Sequence, residues 1–371
     1  MNETDKLFFE LVRVSIGTAD HLSRIPGEKE WSKFFGLSIK QSLCGICFAG
    51  LQNLGADTGG GCVGIGLPRQ QFLAWMGKAV AIQRRNELVN RRCLELQESL
   101  SSDGQCICIL KGQGIAQLYG EQLSLLRQPG DIDVWVQNRD ILELVGYCRN
   151  LGLECKATAA HVECKLFPDT EVELHALPAF LRCPWNQRKL ERWFNSPDWK
   201  ITLNGMGMRV PSVESDLVYM MVHMYHHILM EGLGLRQLMD YFFVLKAIAA
   251  SPTKEDSIKA SYDELSRLGM GRFSSGIMWV MREIFDLPDE LMLCEAEEKT
   301  GRLLLDEILT GGNFGRFNKN NKGLHSGPAI GRILNRLKRN LRFLTLGPWE
   351  VLCSPFWSLW HWFWRKRYGL I

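Results

Sequence analysis

The run Gly130-Asp131-Ile132-Asp133-Val134-Trp135-Val136 constrains this chain more than any other. Acid–apolar alternation predicts a strand, because successive side chains of a strand project to opposite faces. Ile132, Val134 and Val136 then belong to a buried face, and Asp131 and Asp133 share the other. Two carboxylates side by side on one face repel each other and resist desolvation. A hard divalent cation is one way to offset both costs, and a solvated strand face is the other.

The surrounding residues bear on that choice. Upstream, Cys106-Ile107-Cys108-Ile109-Leu110 reads as an apolar strand running into Lys111-Gly112-Gln113-Gly114, with a short helix from Ile115 to Tyr119. Downstream, Thr170-Glu171-Val172-Glu173-Leu174-His175 alternates again, with its acids on one face. His161 to Phe167 and Thr170 to Leu177 predict a hairpin turned by Pro168-Asp169. Asn138 is placed to cap a helix running through Asn150, and Ala157 to Ala160 reads as a small-residue loop. The order is strand, glycine turn, helix, carboxylate strand, third carboxylate strand.

This order resembles the nucleotidyltransferase superfamily, and most closely an uncharacterised bacterial nucleotidyltransferase-like family. The residues that carry the likeness are Leu110-Lys111-Gly112, Leu118-Tyr119, Arg127, Gly130-Asp131-Ile132-Asp133 with Val136, and Glu173-Leu174-His175. It runs from about Leu7 to the helical region near Lys246, and more loosely beyond. The resemblance implies transfer of a nucleoside monophosphate from a nucleoside triphosphate to a hydroxyl acceptor. The attack is in line at the α-phosphorus, with two Mg²⁺ or Mn²⁺ ions assisting. It implies that Asp131 and Asp133 are metal ligands and that Glu173 is the third ligand and a candidate base. By the same carry-over Lys111, Gly112, Gly114, Arg127 and Gly130 contact the nucleotide. The alternation does not choose between Glu171 and Glu173; the family pattern favours Glu173. Lys111 and Arg127 suit salt bridges to the aspartates as well as phosphate binding.

Three departures stand out. The gap between the glycine turn and Asp131 is long, Gln113 stands where serine is common, and Glu173 stands where aspartate is commoner. They leave room for a nucleotide-binding regulatory module without catalysis. A glycosyltransferase using a sugar nucleotide would also carry a DxD strand. It would need an alternating β/α half, whereas roughly the first hundred residues here read as helical.

Helical spacing of apolar residues covers Leu7 to Ile16, Trp31 to Leu51, Gln70 to Leu100, and Pro211 to about Leu268, with a break at Gly59-Gly60-Gly61. The third of these segments puts Arg84, Arg85, Arg91 and Arg92 on its polar side, as a solvated face or a phosphate contact. The expected fold is therefore α+β (α/β), a small mixed-sheet nucleotidyltransferase-like core with helical segments on both sides. The expected boundaries are a helical region at 1–103, the catalytic core at 104–210, a helical domain at 211–310, and a linker with a basic-aromatic tail at 311–371. The Gly- and Asn-rich stretch from Gly311 to Gly331 is the expected linker.

A hydrophobic content of 46% with 23% charged residues excludes a disordered chain, and a net charge of +3 argues against nucleic acid as a partner. The opening Met-Asn-Glu-Thr-Asp-Lys is acidic and polar rather than a secretory leader, so the twelve cysteines are expected as reduced thiols in a cytoplasmic protein. Cys44-Gly45-Ile46-Cys47 lacks nearby partner ligands and reads as two small buried side chains. His175 follows Glu173 on the same face and could orient an acid, meet the acceptor, or sit satisfied in the core. His223 and His227 have a zinc-compatible spacing, but their Met and Tyr neighbours favour packing; Arg236 and Asp240 read as an i,i+4 ion pair. Finally, Phe356 to Arg367 combines dense aromatic residues with a basic end. That composition suits peripheral contact with the inner face of an anionic membrane, and equally a helix packing its rings on the protein.

Overall fold

A computed structural model describes residues 2–57, 64–317 and 329–370. Helices α1 (Glu3–Ile16), α2 (Glu28–Lys40), α3 (Cys44–Asp57) and α4 (Arg69–Ser102) lead into the first strand. The alternating segment then gives β1 (Ile107–Ile109), the one-turn helix α5 (Gln113–Ala116), α6 (Gly120–Ser124), β2 (Ile132–Val136), α7 (Ile141–Asn150), β3 (Cys155–Ala157), β4 (His161–Cys164) and β5 (Val172–His175). The five strands form one sheet in the order β1-β2-β5-β4-β3. Only β2 and β5 run parallel; β1–β2, β5–β4 and β4–β3 are antiparallel. Helix α8 (Pro184–Phe194) and a two-stranded ribbon of β6 (Ile201–Leu203) and β7 (Arg209–Pro211) follow. The chain then returns to helix: α9 (Val213–Met230), α10 (Leu235–Ile248), α11 (Lys254–Arg267), α12 (Gly271–Phe285), α13 (Glu298–Gly311), α14 (Ala329–Asn340) and α15 (Pro348–Arg367). The fold is α+β.

The alternation does what period two requires. Ile132, Val134 and Val136 of β2, with Val172 and Leu174 of β5, pack on Val89, Cys93 and Leu96 of α4 and on Leu144, Val145 and Cys148 of α7. Each aliphatic side chain so buried contributes about 1.5–3 kcal/mol, which pins the register and holds the acid positions on the opposite face. Helix α9 is apolar nearly all round and is correspondingly buried, with Tyr219, Met220, Met221, Met224 and Tyr225 at 0–1% exposure. It joins α1, α3, α10 and α12 in one core that draws on residues from Leu7 to Val351.

Some local expectations need correcting. Asn138 does not cap α7. It lies in a turn at φ 57, and Asp140 caps the helix by accepting from Glu143 N at 2.8 Å while Glu143 accepts from Asp140 N. Ala157 is not loop but the last residue of β3, paired with Val162. The strands β3, β6 and β7 are three residues each, too short for period-two alternation to show. The expected break at Gly59-Gly60-Gly61 lies outside the described residues, as do 318–328 of the expected Gly311–Gly331 linker. Gly311 itself closes α13, and Gly312 to Arg316 fold against the α9–α10 turn. At Gly232 and Gly234 an added Cβ would lie 2.7 Å from Gly315 Cα and Asn313 Cα, so only glycine permits this contact. Residues 348–367 are no free tail, because α15 packs its inner face on the body.

Candidate functional site

The parallel pairing of β2 with β5 places Asp133 directly beside Glu173, and Asp131 one step before the strand. Carboxylate oxygens of Asp131, Asp133 and Glu173 lie within 4.8 Å of one another. Glu171, the alternative third acid, precedes β5, is exposed and lines a neighbouring groove. Asp133 is 2% exposed, so this concentration of negative charge requires nearby positive charge.

Lys111 and His175 supply it. Lys111 Nζ stands 3.1 Å from Asp133 Oδ1, and His175 Nε2 stands 3.0 Å from the same oxygen and 3.3 Å from Glu173 Oε2. Burial opposes charge on both side chains, yet the carboxylates outweigh it. The Lys111 pKa rises, and that of His175 rises to about 9. Burial likewise opposes ionisation of Glu173, but the His175 hydrogen bond, His161 and Lys111 bring its pKa below the ordinary value. His161 faces His175 across the β4–β5 ladder, with its Nδ1 3.7 Å from Glu173 Oε2. His161, Glu173 and His175 form a second group whose ligand atoms lie within 4.8 Å of one another.

These groups form one wall of a cleft of about 490 Å³. The opposite wall comes from α9, α10 and the 312–316 turn: His223, His226, His227, Arg236, Phe314 and Arg316. His223 Nε2 is 3.3 Å from Lys111 Nζ and 2.9 Å from His227 Nε2. Burial and the nearby Lys111 depress both histidines, His227 to about 3, so both are neutral at pH 7. The expectation that His223 and His227 are mere packing is corrected, since they face the cleft. Neither belongs to a group with metal-ligand geometry among the described residues.

The residues expected to meet the nucleotide divide. Lys111, Gly112, Arg127 and Gly130 line the cleft, and Gly112 holds φ 50, a conformation that favours glycine. Gly114 does not line it. An added Cβ there would come 3.0 Å from Ile109 O and 3.2 Å from Val210 Cγ1, so its smallness serves helix–strand packing. Gln113 turns away, donating to Asn86 Oδ1 at 3.2 Å and Asn90 Oδ1 at 2.5 Å on α4.

Arg127 reaches neither aspartate of the pair. It is 3% exposed and forks onto Asp240, Nε to Oδ1 at 2.6 Å and Nη2 to Oδ2 at 2.7 Å, and Tyr119 Oη also donates to Oδ1 at 2.6 Å. Asp240 therefore pairs with Arg127, not with Arg236. Arg236 donates to Gln128 O at 3.2 Å, lies over the Phe314 ring at 5.4 Å, and leaves its buried Nε without a hydrogen-bond partner. Phe314 holds φ 55, an uncommon conformation for a side-chain-bearing residue. On α4, Arg85 and Arg92 bind Asp169 rather than facing the cleft. The described cysteines are free, and burial raises the thiol pKa of Cys44 and Cys47, which fits two buried small side chains.

Sequence reasoning missed His161, His226, Phe314 and Arg316. For His161 the expected hairpin gave no reliable signal, because a turn centred on Pro168-Asp169 would pair it with Ala176, and the observed register, His161 opposite His175, is shifted by one residue. Phe314 and Arg316 lie far along the chain from the acids and carried no signal.

A family model described as "Uncharacterised nucleotidyltransferase" matches residues 27–286. No curated protein matches the chain.

Proposed function

The chain belongs to this uncharacterised nucleotidyltransferase family, and on that premise we propose that the cleft transfers a nucleoside monophosphate from a nucleoside triphosphate to a hydroxyl-bearing acceptor. The observation that carries the reading is the meeting of Asp131, Asp133 and Glu173 within 4.8 Å on one sheet face. The donor set fits hard divalent cations, which favour carboxylate oxygens. Lys111 and His175, both protonated and both on Asp133, mark the place where positive charge is needed. Asp131, Asp133 and Glu173 would hold Mg²⁺ or Mn²⁺. Such cations, when bound, neutralise the triphosphate and lower the pKa of the attacking hydroxyl.

The chain's own residues perform the rest. Lys111, 3.1 Å from Asp133 in the cleft, would supply positive charge to the phosphates. Gly112, with no side chain, leaves the backbone at the glycine turn open to the polyanion. Arg236 and Arg316 carry charge on the facing wall, and Phe314 offers a ring for the base. Arg127 acts at one remove, because its fork on Asp240 fixes the floor beneath Arg236. Neutral His223 meets the Lys111 ammonium and helps to position it, and His175 orients Asp133 and Glu173.

The test is incubation with each nucleoside triphosphate labelled at the α-phosphate, with Mg²⁺ or Mn²⁺ and a cell extract, beside an Asp131→Ala/Asp133→Ala variant. Label transferred by the wild type alone supports the reading and reveals the acceptor class. Metal-dependent triphosphate binding without transfer by the wild type would instead assign a regulatory module.

A further inference from the structure

We infer that α15 is a docking helix that lies in the plane of an anionic bilayer surface. Its outward face carries Trp349, Leu352, Phe356, Leu359, Trp360 and Phe363, exposed at 55, 48, 77, 50, 51 and 57%. Steps of three and four residues keep all six on one stripe along about four turns of helix. Water is a poor solvent for such a stripe, and scattered exposed apolar residues would not line up this way.

The inward face is fixed to the body, so the stripe is a held surface rather than a frayed end. Glu350 accepts from Arg182 N at 2.7 Å and Cys183 N at 3.1 Å, and Arg182 also donates to Ser354 Oγ. Trp357 stacks on Phe180 and lies under the Arg182 guanidinium at 4.6 Å. His361 Nε2 accepts from Ala159 N at 3.1 Å. Phe180 lines the cleft, as does Ala160 beside Ala159, so α15 is seated directly behind the cleft wall.

Charge selects the occupant. Residues 308–371 hold eleven basic residues and a single acid, Glu350, leaving 33 basic and 40 acidic residues in the rest of the chain. Glu350 is 4% exposed, so this segment shows no acidic side chain to solvent, while Lys338, Lys366 and Arg367 are exposed. A second copy pairing isologously on the stripe would bring like charges together. A bilayer with anionic headgroups instead matches both features. Indole and phenyl rings settle at the headgroup boundary, and the lysines and arginine meet lipid phosphates. An apolar surface on one face only, with the other face bound to protein, places the helix along the membrane rather than across it.

Sedimentation of the full chain with vesicles tests this, using phosphatidylcholine alone and phosphatidylcholine with about one third phosphatidylglycerol. The wild type is expected to sediment with the anionic vesicles, with a blue shift of tryptophan emission. Phe356→Ser/Trp360→Ser/Phe363→Ser should lose at least ~10-fold in binding, and Lys366→Glu/Arg367→Glu should abolish the preference for anionic vesicles. The outward positions make these variants foldable, and an unchanged melting temperature verifies it. Absence of vesicle binding overturns the proposal, as does undiminished binding by the triple variant. A dimer in light scattering that the triple variant disrupts would assign the stripe to a second copy instead. None of these outcomes depends on nucleotidyl transfer.

Discussion

His175 Nε2 lies 3.0 Å from Asp133 Oδ1, and that contact ties the histidine of β5 to the most buried of the three clustered acids. The same nitrogen reaches Glu173 at 3.3 Å, so one imidazole orients two of the three proposed ligands. Asp133→Asn should abolish specific Mn²⁺ binding, because it removes the central carboxylate. His175→Ala keeps every carboxylate but frees their orientation, and should weaken Mn²⁺ binding by ~10–100-fold. Titration of bound Mn²⁺ by electron paramagnetic resonance separates the two. Wild-type affinity in Asp133→Asn would remove the acid cluster from consideration as a metal site.

Arg127 and Asp240 form a buried fork, and neither can lose its partner cheaply. Asp240→Leu or Arg127→Met should each destabilise the protein by about 3–5 kcal/mol, because a lone buried charge remains. The double variant Arg127→Met/Asp240→Leu should recover much of that loss, although Tyr119 then also lacks its acceptor. Urea denaturation of the four proteins measures it. Equal and additive losses would show that the pair is not coupled.

How far the sequence could be read depended on whether an effect was local. Asp131, Asp133 and Glu173 were legible because period-two alternation is a property of neighbouring residues, and Glu173 was separated from Glu171 by resemblance alone. The partner of Asp240 was not legible. The i,i+4 rule pointed to Arg236 on the same helix, but Arg127, 113 residues away, reaches Asp240 across the packed α10 interface. Gly114 misled for a related reason: a glycine at a turn suits a phosphate and also suits tight packing, and only the position of Ile109 and Val210 decides. The facing wall of the cleft rests on tertiary packing of α9, α10 and the 312–316 turn, which no local pattern encodes.

Gly114 yields its own prediction. Gly114→Ala should cost about 1–3 kcal/mol through overpacking against Ile109 O and Val210, with triphosphate binding unchanged in the folded fraction. Gly112→Ala adds a side chain at φ 50 facing the cleft, with Asp131 O 3.8 Å away as its nearest neighbour, and should weaken triphosphate binding. Thermal melts and nucleotide titrations on both variants distinguish the roles. Lost binding in a stably folded Gly114→Ala would return this glycine to the nucleotide site.

The docking of α15 should also depend on pH through His361. Burial first, then the nearby Arg365 and Arg182, depress its pKa from the ordinary 6.5 to about 4. The neutral ring is the form that accepts from Ala159 N. A depressed pKa means that the folded state holds fewer protons than the unfolded state in this window. Its contribution is therefore complete above pH 6.5 and is lost as the pH falls towards 4. Burial also lowers the pKa of His161, His223, His226 and His227, so the informative quantity is the difference between the wild type and His361→Gln. Glutamine can accept the same hydrogen bond and does not titrate. Across a series of urea midpoints from neutral pH down to about 4, the wild type should lose more stability than the variant. Parallel curves would mean that His361 does not couple α15 to the sheet edge at Ala159.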